Sequence, residues 1–389
     1  MANFISNEQK DHDGIDTDAE GSLQNSEIEH LSGHQDAVLC LDLFETTLAS
    51  GSEDSTVRIW NLDQPASGAS LCICRCFQDL PITSVAFSKS YSQDFNLYAA
   101  AGTTIFVFDL SSQSILIMAP DMQFDLSCLN GNYSKSKKKA GGSSLECIAQ
   151  EDEEEEEEIN QIAVHPKTGQ YLSAALDNGS VVVLDLVKKN QQPKVMRKHA
   201  NICSTVAFHP RTQWDLASGS YDQTLFFWDF SRGRPTGSYD LKSQQQSQQQ
   251  GGVSQVVNPP FVHSLSYSLD GRYLASGLGD GSIALFEQRS RSCVAKAPDA
   301  HTAAVSQVKF AAYAENILLS AGNDKMLHIW DMTRLLTEDS VPETNTSGPP
   351  TSALIGTLKL EEKPNWICSS PDGRIIVADT SNRISVFRV

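Results

Sequence analysis

Histidine, serine and aspartate, which together can perform nucleophilic catalysis, recur in a spaced set along this sequence. A serine activated by a histidine that an aspartate orients is the arrangement used to cleave acyl bonds. In each copy the serine lies four residues before the aspartate, and a tryptophan lies six residues after the aspartate. The sets are His34, Ser50, Asp54 and Trp60; His199, Ser218, Asp222 and Trp228; and His301, Ser320, Asp324 and Trp330. An active site needs one such set, so three copies favour a structural role, and we predict no catalytic residue and no enzyme.

The spacing indicates how strands would position these side chains. A serine on one strand, an aspartate in the turn after it and a tryptophan on the next strand can meet a histidine from the preceding loop. The carboxylate accepts from the imidazole, the imidazole bonds the hydroxyl, and the hydroxyl bonds the indole N–H. Such a closed network satisfies its buried polar groups and joins neighbouring strands.

The sets lie within longer repeats. The segments LASGSEDSTVRIWN, LASGSYDQTLFFWD and LLSAGNDKMLHIWD align without gaps, and each follows an apolar-x-x-apolar step that opens a strand. Weaker copies of the same turn and strand occupy 97–110, 171–186, 273–288 and 375–387. The pattern resembles the repeat of the WD-repeat family, and the resemblance implies an all-β fold, a single β-propeller of seven four-stranded blades.

The same register divides the chain. We expect an acidic, disordered tail over 1–24 and the propeller over 25–389, with low-complexity insertions at 119–158, 244–260 and 332–352. The third strand of the last repeat ends at the chain's last residues, and NSEIEHL (25–31) precedes the first repeat. We therefore predict that 25–31 supplies the outer strand of the last blade and closes the ring.

The charge distribution narrows the class of partner. The formal net charge is −18, but residues 151–158 supply eight negative charges and residues 1–30 a net seven, which leaves the body near neutral. A surface without basic excess does not predict direct nucleic-acid binding. No apolar run approaches the length of a membrane span, and no secretory signal opens the chain. The nine cysteines follow no framework spacing, so we expect reduced thiols, no metal, no cofactor, and a location in the cytoplasm or nucleus.

The register also predicts which residues face a partner. Glu53, Tyr221 and Asn323 directly precede the aspartates of the three sets and project from the turns. The first residue inside each strand-opening step should face the central channel, namely Leu39, Thr83, Asn160, Ser204, His263, Ser306 and Asn365. Trp366, beside Asn365, lies outside the repeated sets. We favour a core position for it, with an aromatic interface anchor as the alternative.

The resemblance extends to one subgroup of the family. HANICSTVAFHP (199–210) and PNWICSS (364–370) are similar to members proposed as substrate receptors of cullin-RING ubiquitin ligases, which dock through the damaged-DNA-binding adaptor. Their docking signature is Trp-Asp, one residue, then Arg. Arg232 and Arg334 each stand one place late in that signature. The resemblance implies a protein-binding platform acting as such a receptor; the alternative is a general scaffold or chromatin-type reader in a multiprotein complex.

Overall fold

The computed structural model describes residues 28–64, 70–88, 95–111, 115–127, 158–188, 192–242, 258–337 and 352–388. The predicted disordered tail over 1–24 lies outside these residues. So do residues 128–157, 243–257 and 338–351, which make up most of the three predicted insertions.

Almost all of the regular secondary structure in the described part of the chain consists of short strands. The first ten are β1 (Ile28–Ser32), β2 (Val38–Phe44), β3 (Thr47–Ser52), β4 (Val57–Asn61), β5 (Cys72–Cys74), β6 (Ser84–Phe87), β7 (Asn96–Ala101), β8 (Thr104–Asp109), β9 (Leu116–Ile117) and β10 (Met122–Asp125). The next eight are β11 (Ile159–Val164), β12 (Tyr171–Leu176), β13 (Ser180–Asp185), β14 (Lys194–Arg197), β15 (Cys203–Phe208), β16 (Asp215–Ser220), β17 (Thr224–Asp229) and β18 (Arg234–Asp240). The remainder are β19 (Val262–Tyr267), β20 (Tyr273–Leu278), β21 (Ile283–Glu287), β22 (Ser292–Ala297), β23 (Val305–Phe310), β24 (Ile317–Gly322), β25 (Met326–Asp331), the helix α1 (Met332–Thr337), β26 (Leu354–Lys359), β27 (Pro364–Ser369), β28 (Arg374–Asp379) and β29 (Arg383–Arg388).

The strands form seven sheets, which are the seven predicted blades. Blade 1 is β2 to β5, blade 2 is β6 to β8 with β10, and blades 3 to 6 each take the next four strands, from β11 to β26. Blade 7 is β27 to β29 with β1. The first strand of each blade contacts the first strand of the next, and β27 contacts β2. The inner strands therefore form a closed ring, and the predicted seven-bladed propeller is confirmed.

The core lies between the blades. The second and third strands of the blades are buried along most of their length because both of their faces are covered. The indoles of Trp60, Trp228 and Trp330 are among the largest fully buried side chains. One apolar cluster joins blades 1 and 2 through Phe77, which packs edge-on against Phe106 at 5.0 Å between ring centroids. Small residues on β7 and β12 let the sheets approach closely.

The ring closes as the sequence predicted. β1 pairs antiparallel with β29, with Ile28 opposite Phe387 and Leu31 opposite Ile384. The Arg388 guanidinium adds an ion pair with Glu29 at 3.2 Å. An early and a late segment of the chain thus share one sheet, in which β1 is the outer strand and covers the edge of β29.

The predicted insertion boundaries are wrong at two places. Met122–Asp125, assigned to the insertion over 119–158, is β10, which pairs with β8 as the outer strand of blade 2. The insertion over 332–352 begins with helix α1, whose Leu335 is buried against the core. Blade 1 has five strands instead of the predicted four, because β9 pairs in parallel with β5. β5 is short, and the carbonyls of Ile115 and Ile117 accept from backbone N–H groups along its edge.

Candidate functional site

The three predicted sets each close into one hydrogen-bonded network, which we call a tetrad. In blade 1, His34 Nδ1–H donates to the Asp54 carboxylate at 2.9 Å, and Ser50 Oγ lies 2.7 Å from His34 Nε2. The Trp60 indole N–H donates to the same Ser50 oxygen at 2.9 Å. The His–Asp, His–Ser and Trp–Ser distances are 3.3, 2.8 and 2.8 Å for His199, Asp222, Ser218 and Trp228, and 3.0, 2.8 and 2.8 Å for His301, Asp324, Ser320 and Trp330.

The pKa values and the burial of the tetrad residues indicate a structural role rather than a catalytic one. Burial lowers the pKa of His34 more than the nearby charge of Asp54 raises it, so the imidazole is neutral at neutral pH. Burial opposes ionisation of Asp54, but hydrogen bonds from His34 and Thr56 hold its pKa well below the ordinary value. Ser50, Ser218 and Ser320 have no exposed surface. A serine hydroxyl that is buried and occupied by two partners cannot reach a substrate, so the tetrads fasten strands together.

Blade 5 has an incomplete tetrad. Ser276 occupies the serine position, but Phe286 stands where blades 1, 4 and 6 have tryptophan and has no N–H to donate. Within the described part of the chain, Ser276 Oγ is buried and has no hydrogen-bond partner. The aspartate position, Asp280, instead bonds Ser282 and lies 3.8 Å from the ammonium of Lys296.

The end of the propeller that carries the tetrad aspartates we call the tetrad face. Glu53, Tyr221 and Asn323 lie there in equivalent turns, because each backbone N–H donates to a carbonyl of the loop that enters its blade. The donor–acceptor distances are 3.0, 3.0 and 2.9 Å. Glu53 and Asn323 are exposed, whereas Tyr221 is half-buried. The Tyr221 ring packs against Phe261 and His263, and these contacts account for its lower exposure.

Six of the seven residues predicted to face the channel are β-bulges. The strand register shifts at Leu39, Asn160, Ser204, His263, Ser306 and Asn365, and each bulge adds one residue opposite the second strand. The seventh, Thr83, lies directly before β6. A bulge turns the extra side chain away from the normal alternation of a strand.

Four of these seven side chains hydrogen-bond the next blade. Asn160 Nδ2 donates to the carbonyl of Cys203 at 3.1 Å, and Asn365 Nδ2 donates to the carbonyl of Val38 at 3.0 Å. The Thr83 and Ser204 hydroxyls make the same contact with Ile159 and Val262. Ser306 donates instead to Ala321 of its own blade. The polar atoms of four members therefore join the inner strands to one another, and the role of the ring in facing a partner stays a prediction.

Among the polar bulge residues, His263 contacts a side chain instead of a backbone carbonyl. Its ring packs against Tyr221 with centroids 5.2 Å apart, and its Nδ1 lies 3.5 Å from the Tyr221 hydroxyl. The structure thus brings together one predicted turn residue and one predicted channel residue. Burial lowers the pKa of His263, so the ring is uncharged at neutral pH.

Trp366, predicted as a core residue or an aromatic interface anchor, combines core packing with partial exposure. It is half-buried and packs against the apolar clusters of blades 1 and 2 and of blades 7 and 1. It also lines the central cavity of about 440 Å³, together with Phe44 and Leu43. The indole is therefore core packing on one side and channel wall on the other.

The opposite face carries the two predicted docking arginines. Arg232 follows β17, and Arg334 lies in helix α1, which follows β25. Both residues are therefore in the connection that leaves the third strand of a blade. Each guanidinium pairs with the aspartate of its own Trp-Asp step, at 3.3 Å from Asp229 and 3.5 Å from Asp331. Their side chains are 65% and 59% exposed. The extra residue in the signature does not prevent the arginine–aspartate pair in either blade.

Sequence reasoning missed an aromatic residue beside Arg232. Trp214 is 38% exposed on the opposite face, and its carbonyl accepts from the N–H of Phe230, two residues before the arginine. The indole packs against Phe230 and Tyr171 at 5.5 and 5.6 Å between centroids. A tryptophan outside the tetrad register was the available signal, because a tetrad accounts for every other one except Trp366.

The comparison with known families agrees with this architecture. The model of the WD domain, G-beta repeat, matches residues 25–61, 190–229, 254–287 and 291–331. The fold and the repeats define a WD-repeat β-propeller, a protein-interaction platform. The WD repeat-containing protein 53 homolog of Dictyostelium discoideum is 30% identical over 378 residues, covering 92% of this chain and 93% of the relative. The chain belongs to the WD-repeat family, in the group of WD repeat-containing protein 53.

One further observation concerns membranes. Among the residues that the structure describes, no helix has the length and apolar character required for a transmembrane span.

Proposed function

We propose that the chain is a substrate receptor of a cullin-RING ubiquitin ligase that docks on the damaged-DNA-binding adaptor through its opposite face. The observation that carries the proposal is the exposed Arg232 guanidinium, held by Asp229 at the end of β17. Docking at this end leaves the tetrad face free for a target protein. The proposal includes an intracellular location, in cytoplasm or nucleus, which the free thiols of the described cysteines support.

The Arg232–Asp229 pair suits a docking residue better than a stabilising one. An exposed ion pair of this kind contributes at most about 1 kcal/mol to folding. The aspartate nevertheless limits the directions in which the guanidinium points. Its other N–H groups remain available for a carboxylate or carbonyl of a partner, which arginine binds with well-defined geometry.

Trp214 makes blade 4 the stronger candidate of the two. Arginine and tryptophan are enriched among the residues that dominate protein interfaces. Both lie on the same face of blade 4, connected through Phe230. Arg334 differs because one of its N–H groups donates to the carbonyl of Ser352 at 3.0 Å, which ties it to its own chain.

The test is a binding measurement between the full chain and the purified adaptor by biolayer interferometry. We expect Arg232→Ala and Trp214→Ala each to weaken binding about tenfold or more, and Arg334→Ala to weaken it less. Arg383→Ala is the matched control, because Arg383 is an exposed arginine 4.0 Å from Glu361 at the start of β29, on the tetrad face. Thermal unfolding of each variant checks that the propeller is still folded.

Two results would contradict the proposal. Either the wild-type chain does not bind the adaptor, or Arg383→Ala weakens binding as much as Arg232→Ala does. In the first case the general scaffold remains as the function that the fold supports.

A further inference from the structure

Three aromatic rings meet on the tetrad face between blades 4 and 5. Tyr221 comes from the turn of blade 4, Phe261 from the loop that enters blade 5, and His263 from the bulge of β19. The Tyr221 ring lies 5.4 Å from Phe261 and 5.2 Å from His263 between centroids. All three side chains are half-buried, so part of each ring is open to solvent.

A carboxylate stands beside this cluster. Asp177, in the turn of blade 3, accepts from Asn160 Nδ2 at 2.8 Å. The same Asn160 amide also donates to the carbonyl of Cys203, and the neighbouring carbonyl of Ile202 accepts from the backbone N–H of Tyr221 at 3.0 Å. These bonds place Asp177 beside the turn that carries the Tyr221 ring. Burial raises the pKa of the Tyr221 phenol, and the negative charge of Asp177 adds to that rise. The rings and this carboxylate together form what we call the aromatic–acidic corner, made of Asp177, Tyr221, Phe261 and His263.

Asp177 differs from the tetrad aspartates and from Asp280. Asp54, Asp222 and Asp324 pair with their tetrad histidines, and Asp280 lies near the ammonium of Lys296. Among the described residues, Asp177 pairs with no cationic side chain, and its partner is a neutral amide. A half-buried carboxylate with only a neutral partner leaves negative potential that a cation from outside can satisfy.

The surrounding charge has the same sign. The backbone N–H of Asp177 donates to the carbonyl of Glu158 at 3.1 Å. Glu158 is the last residue of the acidic run over 151–158, so that run joins the fold next to the corner. Eight negative charges attached here attract basic segments over a distance of about 10 Å at ordinary ionic strength.

We propose that the aromatic–acidic corner binds a lysine or arginine side chain in a basic segment of the target protein. The cation would lie over the open face of Tyr221, where the ring attracts it, and its charge would be neutralised by Asp177. His263 does not repel it, because the ring is uncharged at neutral pH. The inference rests on the proposed function in one respect, namely that the tetrad face is the one that receives the target.

The test uses fluorescence anisotropy with the full chain. The probes are fluorescein-labelled peptides of alternating lysine and serine and of alternating arginine and serine, with a glutamine-for-lysine peptide as the uncharged probe. We expect both basic peptides to bind, and Tyr221→Ala and Asp177→Asn each to weaken binding roughly five- to thirtyfold. Tyr221→Phe keeps the ring face and should bind within about twofold of the wild-type chain.

Asp299→Asn is the matched charge control. Asp299 is an exposed acid in the loop between blades 5 and 6 on the same face, and asparagine tolerates its φ of 53°. It should change the affinity by less than about twofold, because an exposed charge is screened. A second comparison replaces the acids of 151–158 with their amides, which separates attraction by the run from binding in the corner.

Three results would overturn the inference. The glutamine peptide binds as tightly as the basic ones; Asp299→Asn loses as much affinity as Asp177→Asn; or binding survives in Tyr221→Ala and Asp177→Asn but disappears when the run is neutralised. Adaptor binding by the same Tyr221 and Asp177 variants should be unchanged. A chain that binds the adaptor but neither basic peptide contradicts this inference alone, whereas one that binds the peptides but not the adaptor contradicts the ligase role alone.

Discussion

Serine-to-alanine changes at equivalent positions of blades 4 and 5 should have opposite effects on stability. Ser218 Oγ lies 2.8 Å from both His199 Nε2 and the Trp228 indole nitrogen. Alanine would leave both buried groups without a partner, at about 1–3 kcal/mol each, so we expect a loss of roughly 3 kcal/mol after partial relaxation. Ser276 has no such partner in the described part of the chain. Its replacement removes a buried, unpaired hydroxyl and should stabilise the fold by about 1 kcal/mol.

The assay is urea unfolding followed by tryptophan fluorescence, because Trp60, Trp228 and Trp330 are buried reporters within the tetrads. The midpoint should fall for Ser218→Ala and rise slightly for Ser276→Ala, with unchanged slopes. Thermal unfolding should show the same order, at about 2 °C for each kcal/mol in a chain of this size. Equal losses of stability in both variants would refute the reasoning, because hydrogen bonding in the tetrad would then not distinguish the two blades.

Three other changes test the packing of the ring. Burial, with the neighbouring charge of His301, lowers the pKa of His328 to about 4, so the unfolded chain takes up a proton at this residue before the folded chain does as the pH falls below 6.5. The free energy of unfolding should therefore drop by about 2 kcal/mol between a pH above 6.5 and pH 5, and His328→Phe should abolish that share of the drop in thermal unfolding. Gly281→Ala places a Cβ against the His301 carbonyl at a φ of 85°, and it should lower the free energy of unfolding in urea by about 2 kcal/mol or more. Gly233→Ala, at a φ of 63° with no atom within 4 Å of the new Cβ, should lower it by only about 1 kcal/mol. A deletion that removes β1 should lower the melting temperature and cause aggregation in size-exclusion chromatography, because β29 becomes a free edge; a deletion ending at residue 24 should do neither.

The parts of the fold that depend on local spacing could be predicted from the sequence. A tetrad needs a serine, a tight turn and a tryptophan at fixed positions on two adjacent strands, so Ser218 and Trp228 identify a blade without any knowledge of its neighbours. Ring closure followed for a similar reason, because the last repeat lacked one strand and 25–31 preceded the first. Blades without tetrads were found only because this register was already known.

Features that depend on the backbone course or on distant contacts were not predictable. The bulge at Asn160 is not visible in an apolar-x-x-apolar pattern, and neither is the hydrogen bond from its amide to the next blade. β9 pairs with a strand of the preceding blade, and no periodicity within two residues can predict that pairing. Asp177, Tyr221 and Phe261 come from three different blades, so their proximity exists only once the ring is assembled.

The pairing of β1 with β29 has a consequence for biosynthesis. Glu29 and Arg388, which bond across that sheet, are 359 residues apart in the chain. At a synthesis rate of about 5–20 residues per second, β1 waits for roughly 20–70 seconds before its partner strand leaves the ribosome. During that time β1 is exposed and the inner strands of blades 1 and 7 cannot meet. We expect the nascent chain to be a client of chaperones that bind extended apolar segments, released only when the last strand completes the ring.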